Sequence, residues 1–208
     1  MDEDQISAFL AAIQGHVHEL LYRINIFTGL REGELLGLTW DCVDLQKGTL
    51  LVNKQLRREQ KKGGKYYFSP PKNNKSRVLT LAPSVIQTFR AQKAKQAEMQ
   101  LFAGADWNNE YNLVFTNETG GFLSYRTVYD CFKRIVTSIG TPTTRFHDLR
   151  HTYAVAAIQS GDDIKTVQEN LGHATAAFTL DVYGHVTAHI KQESANRMER
   201  FIKSVSGG

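Results

Sequence analysis

Two arginines, a lysine, two histidines and a tyrosine stand in surroundings suited to chemistry on a phosphodiester. Arg31 lies in TGLREGELLGLTW, Lys72 in PPKNNKSRVLTL, His147 and Arg150 in RFHDLRHT, His173 in LGHATAAFTL and Tyr183 in DVYGHV. A phosphodiester is shielded by its own charge, and displacement at phosphorus builds further negative charge on the non-bridging oxygens. Planar, permanently charged, forked donors are the suitable clamp, and Arg31 and Arg150 are the candidates; lysine in either place would lose the bidentate geometry. His147 and Arg150 are three apart, so on a helix they share a face and can reach one phosphate. HxxR alone is a common surface pairing, and its meaning here comes from the company it keeps. A tyrosine hydroxyl, with an ordinary pKa of about 10, is a poor nucleophile at neutral pH and needs clustered cations to help it lose its proton.

The elements that must position these groups follow from periodicity. From Asp4 to Thr28 apolar residues recur at helical spacing, with a break near Gly15 and a stop at Gly29. The stretch from Arg31 to Leu38 is helix-like again and places Arg31 at the entry of its first turn, on a tight corner. After Trp40 the period changes. TLLVNKQL, KYYFSP and RVLTL read as three short strands, joined by a basic Gly-Gly turn and by a loop carrying Pro70, Pro71, Lys72 and Asn73. Pro83 opens a long amphipathic helix and Ser124 caps the next. The last third is helical: HDLRHTYAVAAIQS up to Gly161, DDIKTVQENL capped by Asp162 and closed by Gly172, then TAAFTLDVY, then TAHIKQESANRMERFIKSV. The expected fold class is α+β, mainly α-helical with a small three-stranded antiparallel sheet.

A chain of 208 residues can bury one good core, so a single domain is expected. The net charge of +4 fits a polyanionic partner without establishing one. Its distribution says more. Lys54, Arg57, Arg58, Lys61, Lys62, Lys65, Lys72, Lys75 and Arg77 fall in one stretch against the single acid Glu59, the local density a phosphate backbone rewards, and all of them but Lys72 are the candidate DNA-binding residues. Cys42 and Cys131 give neither a disulfide framework nor a metal cluster, which suits a reducing cytoplasm. No apolar run has membrane-spanning length, and MDEDQ is not a signal peptide. His147, His151, His173, His185 and His189 raise a metal hydrolase as a rival. The glutamate of HExxH is absent and no acidic cluster accompanies them, so neither metal nor cofactor is expected.

TGLR, KNNKSRVLTL, HDLRHT, LGH and YGHV, in that order over about Gln5 to Val186, resemble the catalytic domain of a tyrosine recombinase of the phage integrase family. The longer spacing to Tyr183, with DVY before HV, resembles integrases of temperate phages and conjugative transposons. The resemblance implies a site-specific recombinase. Tyr183 would attack DNA to form a 3′-phosphotyrosine while a 5′ hydroxyl leaves, and exchange would pass through a Holliday junction without ATP. It assigns protonation of the leaving oxygen to Lys72 in preference to Lys75, acid/base service of Tyr183 to His147, and contact with a phosphate oxygen or help in proton transfer to His173. Glu34, one helical turn after Arg31, is expected to orient a cation. His173 and Tyr183 are ten residues apart, one more than in the shorter pattern of the family, and Ala174, Ala176, Ala177 and Phe178 replace its usual polar run. Those changes put backbone contacts of the missing hydroxyls in doubt, but not the catalysis.

Residues 1–208 thus resemble a catalytic domain, with the family's N-terminal core-binding and arm-binding domains expected to be absent because Arg31 follows Met1 by only thirty residues. Residues 187–208 would form a C-terminal helix that docks on a neighbouring protomer through an apolar stripe of Ile190, Met198, Phe201, Ile202 and Val205. The implied partners are double-stranded DNA at attachment sites, three further copies of the chain in a homotetramer on DNA from a free monomer, and accessory excision or bending proteins. No membrane is implied, and the implied location is the nucleoid of a bacterial cytoplasm. Two other readings remain: a DNA-binding module on a recombinase scaffold, and a type IB topoisomerase-like strand transferase.

Overall fold

The computed structural model describes residues 1–61, 63–72, 74–172 and 187–206, with side chains from residue 194 in the last stretch. His173, Tyr183 and Lys62, and the helix expected over TAAFTLDVY, lie outside the described residues.

Asp2 caps α1 (Glu3–Ala12), accepting the Gln5 N–H at 2.8 Å while the Gln5 side chain returns to the Asp2 N–H. Gly15, at φ +73°, lets the chain turn into α2 (Glu19–Thr28), and Gly29, at φ +61°, closes that helix with its N–H on the Asn25 carbonyl. The short α3 (Glu32–Leu36) follows at once, with Arg31 at its N-cap. Pro83 starts α4 (Pro83–Ala103), where its missing N–H costs nothing, and α4 packs across α2. Then come α5 (Tyr125–Ser138), α6 (Asp148–Gln159), α7 (Ile164–Leu171) and α8 (Thr187–Val205). Ser124 occupies the cap position of α5 without making a side-chain cap bond. Asp163, rather than the expected Asp162, caps α7 by accepting the Thr166 N–H at 2.9 Å.

The core centres on aromatic side chains of α1, α2 and α5 and of the chain before α6. Phe9, Tyr22, Phe132 and Phe146 meet with ring centroids 5.3 to 6.2 Å apart, and the Tyr22 hydroxyl satisfies itself on the Val128 carbonyl at 2.8 Å. Each such buried ring is worth about 1.5–3 kcal/mol in transfer from water. Ala154, Ile158, Val167 and Leu171 form a second cluster that joins α6 to α7. The loop between α4 and α5 is tied down by glutamines: Gln92 and Gln96 donate to the Val114 and Leu113 carbonyls at 2.9 and 2.8 Å.

The small antiparallel sheet is present, but its membership differs from the expected one. β1 (Val43–Asp44), β2 (Thr49–Val52) and β5 (Arg77–Thr80) form a three-stranded sheet in the order β1-β2-β5. TLLVNKQL breaks at Asn53 and Lys54, and its second half, β3 (Gln55–Arg58), pairs with β4 (Tyr66–Ser69) as a separate hairpin. The reason lies in α3. A Cβ on Gly33 would stand 2.8 Å from the Leu56 carbonyl oxygen, and one on Gly37 only 2.5 Å from the Leu56 nitrogen. The two glycines, four residues apart, bare one face of α3, and the backbone of β3 leaves the sheet to lie on that face.

Candidate active site

The corner between α2 and α3 holds the first arginine. Gly29 can close α2 so tightly because it has no side chain: a Cβ there would lie 2.6 Å from Tyr153 and 2.7 Å from Leu171. That approach seats the end of α7 beside the corner. Three arginines from distant segments then grip three consecutive carbonyls at the α7 terminus. Arg77 Nε donates to Asn170 O at 2.7 Å, Arg150 Nη2 donates to Leu171 O, and Arg31 Nη2 donates to Gly172 O at 3.2 Å. Arg150 also gives Nη1 to Gly29 O at 2.6 Å, so this 3 % exposed side chain ties the α2 corner to α7. The last carbonyls of a helix carry partial negative charge, which accounts for the gathering of guanidinium groups around them. Arg31 and Arg150 thereby meet at the residues that lead directly into His173.

Glu34 lies beneath this cluster with a side chain 0 % exposed. Its Oε1 accepts Arg31 Nη1 at 2.8 Å and Arg77 Nη1 at 3.0 Å; its Oε2 accepts the Arg31 backbone N–H at 2.9 Å and Arg77 Nη2 at 2.7 Å. Burial pushes its pKa up, but hydrogen bonding and charge from Arg77, followed by Arg31, overcome that and hold the carboxyl down at about 2. Glu34 is thus an anion at any physiological pH, bonded to both Arg31 and Arg77. Its neighbour Glu32 behaves oppositely: burial without a compensating cation raises its pKa to about 7.

His147 stands at the N-cap of α6, with its ring centroid 5.1 Å from that of His151 on the next turn. Desolvation by the surrounding protein, then the charges of His151 and Arg150, hold its pKa below the ordinary 6.5. The imidazole is therefore neutral at pH 7 and able to accept a proton. Among the described residues no group of three or more His, Cys, Asp or Glu is arranged to hold a metal ion.

Lys72 and Lys75 are exposed on the loop between β4 and β5. Arg57, Arg58, Lys61 and Lys65 are exposed along the β3–β4 hairpin and its turn. Arg58 lies over the Tyr66 ring at 5.6 Å and donates Nε to Gly64 O at 3.0 Å, while Lys61 is 3.1 Å from Glu59. Lys54 is half-buried, 3.6 Å from Asp41 and 5.5 Å from the Phe68 ring centroid. Arg77 requires a correction. The density of basic residues groups it with the DNA-facing cations, yet its side chain is 9 % exposed and turned inward on Glu34 and Asn170. Strand alternation is the cause: Arg77 shares its face of β5 with buried Leu79, while Val78 between them is 61 % exposed. That i, i+2 relation was the available signal for its inward role, masked by the charge around it.

The fold and site define a class: an α+β domain whose arginines converge on one helix end beside a cationic hairpin. Residues 1–189 match the profile of the phage integrase family, and the chain belongs to that family. It is 32% identical over 206 residues to a tyrosine recombinase XerC-like protein of Caldanaerobacter subterraneus subsp. tengcongensis, covering 95% of this chain and 52% of that protein. It is 27% identical over 182 residues to the ICEBs1 integrase of Bacillus subtilis, covering 86% and 47%. The chain spans about half the length of these relatives. Among solved structures, the Tn1549 transposon integrase in complex with transposon right end DNA superposes with a TM-score of 0.77 at 25% identity, over 96% of this chain and 65% of that one. XerA recombinase shares the fold at a TM-score of 0.70 and 22% identity, over 95% and 64%.

Proposed function

We propose that this chain is the catalytic part of a site-specific DNA recombinase that cuts and rejoins double-stranded DNA through a 3′-phosphotyrosine. In this reading Arg31 and Arg150 turn their forks to the non-bridging oxygens of the scissile phosphate. Tyr183 Oη forms the new bond to phosphorus, and the bond to the 5′ oxygen breaks. His147, neutral at pH 7, takes the tyrosine proton; Lys72 gives one to the 5′ oxygen; His173 hydrogen-bonds the phosphate. Religation by the 5′ hydroxyl of another strand reverses each transfer, and two rounds of exchange pass through a Holliday junction. The single observation that carries the reading is the meeting of Arg31 and Arg150 at the carbonyls directly preceding His173. Family membership and the likeness to an integrase solved on transposon DNA support it.

The exposed cations Arg57, Arg58, Lys61, Lys65 and Lys75, with Lys54 and Lys62, would track the duplex backbone. Four copies would assemble on paired attachment sites from free monomers, with accessory excision or bending proteins, in a bacterial cytoplasm. Residues 187–208 would dock on a neighbouring copy. The described part of α8 supports this, because Met198, Phe201, Ile202 and Val205 are 58, 61, 46 and 64% exposed and so are not covered by their own domain.

Suicide duplexes drawn from sequence flanking the gene test the reading. Wild-type protein is expected to form a covalent adduct on denaturing gels, in chelator as well as without it. Tyr183→Phe is expected to form none while binding the same duplex with unchanged affinity. Adduct in Tyr183→Phe would remove the nucleophile assignment, and DNA binding without wild-type adduct would leave a non-catalytic module on a recombinase scaffold.

A further inference from the structure

Of the three guanidinium groups at the end of α7, that of Arg77 alone has no part in the proposed chemistry. Its side chain is nearly closed to solvent, and its donors are committed: both terminal nitrogens to Glu34 and Nε to Asn170 O. Gly172, at φ +63°, turns the chain directly over it, and a Cβ there would lie 3.1 Å from both Cδ and Nη1 of Arg77. We propose that Arg77 is a positioning residue that locks Glu34, and through Glu34 the guanidinium of Arg31, against the α7 terminus that delivers His173. This rests on the recombinase reading.

The argument is one of shared acceptors. Glu34 divides its two oxygens so that each receives one bond from Arg31 and one from Arg77. With Arg77 in place the carboxylate is neutralised twice over, and Arg31 is aimed without being fully consumed. Without it, a fully buried carboxylate faces Arg31 alone, and either draws that guanidinium off the phosphate or takes up a proton and releases it. Among the described residues, the other ionisable groups that line the small void next to Glu34 are Cys42 and Lys54, from the turn before β1 and from the link between β2 and β3. Lysine could not substitute for Arg77, since one ammonium cannot span two carboxylate oxygens and a helix carbonyl in a plane.

The test uses the same chain and suicide duplex, with Arg77→Met, Arg77→Lys and the Arg77→Met/Glu34→Gln pair. Cleavage rate, DNA affinity against salt, and thermal unfolding are followed from pH ~5 to ~9. Arg77→Met is expected to keep its DNA affinity and salt slope and to cleave about 10²-fold more slowly. It should also gain a further fall on the acid side as Glu34 protonates, beyond the one that protonation of His147 gives the wild type, and Glu34→Gln in the same chain should remove that addition. If Arg77→Met does not fold, Arg77→Lys carries the test, with unchanged affinity and a rate lower by at least about tenfold. Three results overturn the inference. One is a wild-type rate and pH profile in either single variant; another is slow cleavage with the wild-type pH profile that merely follows lost stability. The third is a salt slope reduced by about one, which would place Arg77 on a phosphate instead. Absence of adduct from the wild type as well would overturn the recombinase reading, and this inference with it.

Discussion

At the scale of single residues the site is an arrangement of donors. Arg31 and Arg150 rest on backbone carbonyls, acceptors that resemble phosphate oxygens in partial charge but not in net charge. A phosphate carrying a full charge is a stronger acceptor for a guanidinium fork. Lys72 is placed differently, on an exposed loop between β4 and β5. If its task is to protonate the leaving 5′ oxygen, a duplex with a 5′-bridging phosphorothiolate, whose thiolate leaves without a proton, should restore cleavage to Lys72→Ala and not to Arg31→Ala. Failure at Lys72→Ala combined with restoration at Lys75→Ala would transfer the role to the second lysine of the loop.

At the scale of elements, α3 carries two carboxyls that respond to pH in opposite senses. The Glu34 pKa is depressed to about 2 from an ordinary 4.5, so its contribution to stability is present above pH 4.5 and is lost as pH falls towards 2. That of Glu32 is raised to about 7, so its contribution is present below 4.5 and is lost as pH rises to about 7. Between them these two carboxyls favour weak acid. Glu32→Gln is expected to flatten the decline towards neutrality and to stabilise the protein at pH 8 by about 2 kcal/mol, after allowance for partial exposure, in melting experiments across pH. An undiminished decline in that variant would assign it to another group. Much of this element was legible in sequence: Gly29 as a stop and Arg31 on the corner are local matters of backbone conformation. The split of TLLVNKQL was not, because its continuous alternation conceals that Gly33 and Gly37 offer a seat for Leu56 from a different part of the chain. Arg77 was misplaced for a similar reason. Its partners, Glu34 and Asn170, are 43 and 93 residues away, and charge density alone cannot distinguish a cation facing DNA from one facing a buried carboxylate.

At the scale of the whole molecule, the described part of α8 carries four large apolar side chains that stand in solvent. It touches α6, yet that contact leaves Met198, Phe201, Ile202 and Val205 largely uncovered. Removal of residues from Ile190 onward should accordingly leave the monomer's unfolding transition in place while impairing cooperative assembly and synapsis, read by gel shift and by sedimentation on paired sites. A collapse of the unfolding transition would mean that α8 packs on its own domain, and intact assembly would mean that it docks nowhere.

The grip on the α7 terminus also dictates when the site can exist. Arg31 meets its carbonyl across 141 residues of chain, Arg150 meets Gly29 across 121, and Arg77 meets Asn170 across 93. Closing each of these loops costs about 4 kcal/mol before any constant term, and that cost falls before the contacts repay it. During synthesis the first corner leaves the ribosome long before α7, and no chain that ends before Gly172 can complete the three-arginine grip on the helix end. On the proposed reading, strand-cutting chemistry is thus withheld from every chain that ends before α7 and would arrive only with the last third of these residues.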